Sequence, residues 1–103
     1  MISFSLNEVD GNLDVKLEGD LDIDGTEVIE EQLIPTMEKY KAVNINFANV
    51  PFVDSTGVGL LLNVIQSLNE KGVKVTISNV RQEIFDIFEL LEIPEIVGEG
   101  VFV

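Results

Sequence analysis

The chain has no cysteine and no histidine. The first absence removes disulfides, thiol nucleophiles and thiolate metal sites. The second removes the commonest general base and the commonest transition-metal ligand. Basic residues are scarce: six Lys plus Arg stand against nineteen Asp plus Glu, for a formal net charge of −13. A domain this acidic repels nucleic acid and anionic lipid, so the expected partner is a protein with a basic face. No apolar run approaches the ~20 residues needed to cross a membrane. The start, Met1-Ile2-Ser3-Phe4, has neither the basic region nor the apolar stretch of a leader, so a cytoplasmic location without direct membrane insertion is expected.

What is present is enough for a packed core. Of 103 residues, 46% are hydrophobic, and a chain of this length is expected to form one domain over residues 1–103. Ile2, Phe4 and Leu6 alternate with polar residues as in a half-buried strand, Asp10-Gly11 reads as a hairpin turn, and Leu13, Val15 and Leu17 alternate on the way back. An acidic loop, Asp20-Leu21-Asp22-Ile23-Asp24-Gly25, follows Gly19. From Thr26, a plausible cap, to Tyr40 the apolar residues Val28, Ile29, Leu33 and Met37 recur at near-helical spacing; Pro35 predicts a kink or an early end.

Val43, Ile45 and Phe47 give a third strand, and Val50-Pro51-Phe52-Val53 continues apolar. Val58, Leu61, Leu62, Ile65 and Leu68 then mark a second helix closed by Lys71-Gly72. Leu60 and Val64 widen its stripe and are expected in the core rather than on a docking face. Val73, Val75 and Ile77 make a fourth strand. A third helix runs from Arg81 to Glu92 on Ile84, Phe85, Phe88 and Leu91, with Pro94 as its stop, and the tail at Val101-Phe102-Val103 is a candidate last strand at a sheet edge. The expected fold is α/β, a mixed sheet of four to five strands with an initial antiparallel hairpin and three to four helices.

The stretch Asp54-Ser55-Thr56-Gly57-Val58-Gly59 lies between the third strand and the second helix, where open α/β sheets place functional sites. Ser55 or Thr56 is suited to cap the helix. The plain alternative is a cap with two packing glycines. A serine nucleophile lacks a histidine base, and Val53 holds the first glycine position of a nucleophile elbow, so a hydrolase is not indicated. Gly57-Val58-Gly59 lacks the lysine of a P-loop, and no cofactor is implied. Asp20, Asp22, Asp24, Gly25 and Glu31 match the letters of an EF-hand loop, yet a strand precedes them and no second loop is present. What remains is a covalent switch: phosphate on Ser55 adds nearly two negative charges beside Asp54.

These residues resemble a known family. Phe52-Val53 followed by Asp54-Ser55-Thr56-Gly57-Val58-Gly59, with Gly19-Asp20-Leu21-Asp22 upstream, is similar to the STAS domain of bacterial anti-sigma factor antagonists, and the element order agrees along essentially the whole chain. The resemblance implies a non-enzymatic partner switch. The unmodified protein binds an anti-sigma factor that is also a serine kinase, freeing the sigma factor; phosphorylation ends that binding and a serine phosphatase restores it. It places the phosphate on Ser55, with Thr56 as the second candidate, and partner contact at Asp20, Asp22, Asp54, Ser55, Thr56 and Gly57. Two other readings stand beside it: a STAS scaffold or membrane-system accessory that is never phosphorylated, and a calcium module through Asp20, Asp22, Asp24 and Glu31.

Overall fold

The computed structural model describes residues 1–103. A hairpin opens the chain: β1 (Ser3–Val9) and β2 (Asn12–Glu18) pair antiparallel with Ser3 opposite Glu18 and Val9 opposite Asn12. Asp10 and Gly11 turn at φ of 53° and 82°, the two positive angles that a two-residue turn of this twist requires. β3 (Ala42–Asn49) runs parallel to β2, and β4 (Lys74–Ser78) parallel to β3, so the four strands lie in sequence order.

Period two sorts the sheet into faces. Leu13, Val15, Leu17, Val43, Ile45, Phe47, Val75 and Ile77 are buried, while Asp14, Lys16, Asn44, Asn46, Thr76 and Ser78 alternate with them on the wetter side. There Asn44 Nδ2 donates to Thr76 Oγ1 at 2.8 Å and Ser78 Oγ donates to Asn44 Oδ1 at 3.0 Å. All four helices therefore serve one face. The first strand is the exception to the expected alternation: Ile2 is buried, Phe4 half-buried and Leu6 exposed, so the cover over β1 thins along the strand.

The first helical segment, α1, spans residues 23–37. It begins as a 3₁₀ turn at Ile23–Gly25, widens to a π-helical stretch at Val28–Leu33 and ends in one α-turn at Ile34–Met37. Pro35 accounts for the widening. A proline has no N–H to give and its ring crowds the carbonyl four residues back. With one residue added to the ladder, the N–H of Ile34 reaches Ile29 O, and Pro35 starts the last turn instead of breaking a regular one. Thr26 lies inside the segment, its hydroxyl donating to Ile23 O at 2.8 Å; the cap is Asp22. Tyr40 lies past the helix end, where its hydroxyl donates to Glu8 at 2.9 Å; that carboxylate holds the Tyr40 pKa above its ordinary 10.0.

Helix α2 (Ser55–Glu70) is the centre of the core. Leu60, Leu61, Val64, Ile65 and Leu68 are all buried, so Leu60 and Val64 are core, as expected. They pack with Ile29 and Leu33 of α1 over Leu17, Ile45 and Phe47. Gly72, at φ 76°, ends the segment just beyond Lys71. Helix α3 (Gln82–Leu90) buries Ile84 and Phe88, but Leu91, expected on that stripe, is exposed. Glu92 adopts a left-handed φ of 60°, and Pro94 enters a new short helix, α4 (Ile93–Val97), at its first turn. Pro94 is thus a starter rather than a stop, since the first turn needs no N–H from it. At the tail, Ile77 N–H donates to Val101 O at 2.7 Å and Val103 N–H to Ile77 O at 2.9 Å, a single parallel bridge on the free edge of β4.

Candidate functional site

Past the hydrogen-bonded part of β2 and β3, both chains continue side by side with a local register shift. Leu21 pairs with Val53 in parallel; the N–H of Leu21 donates to Phe52 O at 2.9 Å and the N–H of Asp54 to Leu21 O at 3.3 Å. Leu21 and Val53 are both buried. Each is followed by an aspartate and each aspartate opens a helix. Asp22, extended at φ −144° and ψ −169°, accepts the N–H of Asp24 on Oδ1 at 3.1 Å. Asp54, extended at φ −96° and ψ −174°, accepts the N–H of Gly57 on Oδ1 at 2.8 Å. Two helix starts thus follow directly from one bridge, and each carries its own carboxylate cap.

The cap at α2 is therefore Asp54, not Ser55 or Thr56. An extended backbone at residue 54 aims its carboxylate at the third helical N–H, which leaves Ser55 as the first helical residue with its hydroxyl outside the cap. Ser55 is exposed and Thr56 half-buried, so of the two hydroxyls Ser55 is the more accessible. Asp20 is exposed and Asp22 and Asp54 are half-buried beside it.

Gly57, expected at the partner surface, is buried, and its part is structural. A Cβ at residue 57 would run into the carbonyl oxygen of Leu21 and would lie 2.8 Å from its carbonyl carbon and 2.9 Å from Val53 Cγ1. Only glycine lets α2 come this close to the acidic segment. Gly59, by contrast, faces open space.

The acids do not gather into a cation site. No three carboxylates of the chain converge where an ion could be held. Leu21 is tied to Val53 and residues 23–25 coil into a helical turn, so Asp20, Asp22, Asp24 and Glu31 are spread along a strand end and a helix instead of wrapping a loop. The calcium reading lacks its coordination geometry. Two side chains to which the sequence assigned no part in the site flank the Leu21–Val53 bridge, Phe52 and Ile23, both exposed. Alternation could have found Phe52, since Val53 next to it turns inward.

A family model described as the STAS domain matches residues 3–102. The chain belongs to the STAS domain family. An anti-sigma-B factor antagonist from Staphylococcus epidermidis is 33% identical to this STAS domain over 90 residues, covering 84% of this chain and 83% of the relative. The phosphorylated form of SpoIIAA, a Bacillus cell fate determinant, superposes with a TM-score of 0.71 at 23% identity, over 98% of this chain and 89% of that one. A sulfate transporter family protein from Wolinella succinogenes has a TM-score of 0.79 at 19% identity, over 91% of this chain and 77% of its own. The last two likenesses are of fold: a mixed four-stranded sheet with an initial hairpin and four helices, as the element order implied. No helix is long and apolar enough to cross a membrane.

Proposed function

We propose that this STAS domain is an anti-sigma factor antagonist acting as a phosphorylatable switch. Its unmodified form binds an anti-sigma factor serine kinase and so releases the sigma factor; phosphorylation of Ser55 by that kinase ends the binding, and a serine phosphatase restores it. The domain works by binding and not by catalysis, in the cytoplasm, with no cofactor. The observation that carries this reading is the position of Ser55: an exposed hydroxyl at the first residue of α2, left out of the cap and standing beside the aspartates Asp22 and Asp54.

The electrostatics support the reading. The amides at the start of α2 and the helix dipole tolerate a phosphate, so modification leaves the fold intact. At an interface the same phosphate has to shed water next to two carboxylates, Asp22 and Asp54, which costs binding about 3 kcal/mol, or roughly two decades in affinity. The unmodified surface, with Asp20, Asp22, Asp54, Ser55 and Thr56 around it, suits a partner that brings lysines and arginines. Titration of the anti-sigma factor kinase with the wild type and with Ser55→Asp tests this. The wild type is expected to bind, and Ser55→Asp to bind roughly a hundredfold more weakly; equal affinities would sink the reading.

A further inference from the structure

A switch at Ser55 leaves unexplained why two large apolar side chains stand in water at its border. Ile23 is 67% exposed and Phe52 51%. Scattered exposed apolar residues are ordinary, but these two flank the one bridge that leads into the Ser55 turn. The bridge between Leu21 and Val53 is followed on each chain by an aspartate cap, Asp22 and Asp54, and Ile23 and Ser55 are each the first residue after that cap. On the other side of the same pair Phe52 precedes Val53, and its carbonyl accepts the Leu21 N–H. Ile23 and Phe52 therefore both lie within two residues of the bridge whose Val53 side leads into Ser55.

The two stretches that form this pair carry charge of one sign, and the basic group at this end of the sheet, Arg81, is engaged through its Nε with Ala48 O at 3.3 Å. No lysine or arginine occurs from residue 17 to residue 38 or from residue 42 to residue 70, whereas Asp20, Asp22, Asp24 and Asp54 all lie within two residues of the Leu21–Val53 pair or of Ile23. Two copies of such a face repel each other, so a second copy of this chain does not fit it. What fits is an apolar pocket with a rim of lysine or arginine. Resting on the reading of Ser55 given above, we infer that Ile23 and Phe52 are the apolar anchors of the complex, entering such a pocket on the anti-sigma factor kinase while Asp20, Asp22 and Asp24 meet its basic rim. Truncating buried apolar anchors at an interface commonly costs tenfold or more, while rim contacts cost little.

This arrangement also says how one phosphate acts so strongly. Ile23 can be buried only if the surface beside it gives up its water, and a phosphate on Ser55 holds its hydration shell there. The modification then denies the anchor its pocket, and this loss outweighs the attraction of the added charge to the basic rim.

The test is a titration of the anti-sigma factor kinase with wild type, Ile23→Ser, Phe52→Ser, Ser55→Asp and the control Leu90→Ser, with thermal unfolding of each. Leu90 is 83% exposed on α3, well away from Ser55 in sequence and on a different helix. Ile23→Ser and Phe52→Ser are each expected to weaken binding by about tenfold or more, and Leu90→Ser by less than about twofold. Should Phe52→Ser lower the folded fraction, Ile23→Ser carries the test alone. Binding of both variants within about twofold of wild type, while Ser55→Asp still binds roughly a hundredfold more weakly, overturns the anchors and leaves the switch standing. Ser55→Asp binding like wild type overturns the switch and this inference with it.

Discussion

Gly57 and Gly59 lie two residues apart on the same helix, and the same substitution at each is predicted to act in opposite directions. Alanine at residue 57 meets the Leu21 carbonyl, which is backbone and cannot rotate aside, with Val53 Cγ1 at 2.9 Å closing the other direction. Overpacking of this kind costs about 1–3 kcal/mol. Relief requires Leu21 to move, which weakens its N–H bond to Phe52 O and its acceptance of the Asp54 N–H, at about 1 kcal/mol each. Better helix propensity returns at most about 1 kcal/mol. The net loss is about 2–4 kcal/mol, a fall in unfolding midpoint of about 10–25 °C for a domain of this size. Alanine at residue 59 meets nothing within 4 Å and removes glycine entropy from a helix, so it should stabilise by about 0.5–1 kcal/mol. Thermal and urea unfolding followed by circular dichroism read both. Gly57→Ala as stable as wild type, or both variants shifting the same way, would refute the close approach of α2 to the acidic segment.

Other consequences are smaller and equally direct. Asp54→Ala removes the acceptor for the Gly57 N–H and is expected to cost about 1 kcal/mol in urea unfolding, with Asp54→Ser recovering most of it; an unchanged midpoint would mean that the cap contributes nothing. Tyr40 donates to Glu8, so its ultraviolet titration should have a midpoint above 10.0 that Glu8→Gln brings down. Because the folded-state pKa is the raised one, this contact contributes at pH values below 10.0 and is lost as pH climbs through the folded value. A midpoint at or below 10.0 in the wild type contradicts the hydrogen bond.

Much of the fold could be read from residue order because it rests on local periodicity. Asp10-Gly11 demanded a hairpin, the alternation at Val43-Ile45-Phe47 and Val75-Ile77 demanded inward strand faces, and the breadth of the stripe at Leu60 and Val64 agreed with a helix buried between the sheet and α1. What could not be read depends on competition between equal local choices or on distant neighbours. Asp54, Ser55 and Thr56 all make good caps, and only the extended backbone leaving Val53 selects the aspartate. Pro35 and Pro94 looked like breakers, yet one is absorbed by a π-helical turn and the other begins α4. Leu6 fits its strand's alternation and is still exposed, because nothing in a strand's own sequence says how far the helices reach over it. At the site, Asp22 and Asp54 were legible as acids flanking a turn; that their preceding residues pair, and that Gly57 is needed against Leu21, are facts of tertiary contact.

The central claim is that Ser55 is the switch. Incubating the chain with its anti-sigma factor kinase and ATP, followed by peptide mass spectrometry, tests it most directly. One phosphate on Ser55, none on Thr56, and in Ser55→Ala no phosphate together with undiminished binding is the predicted result. Phosphate on another residue, or a Ser55→Ala variant that is still modified and released, would contradict it.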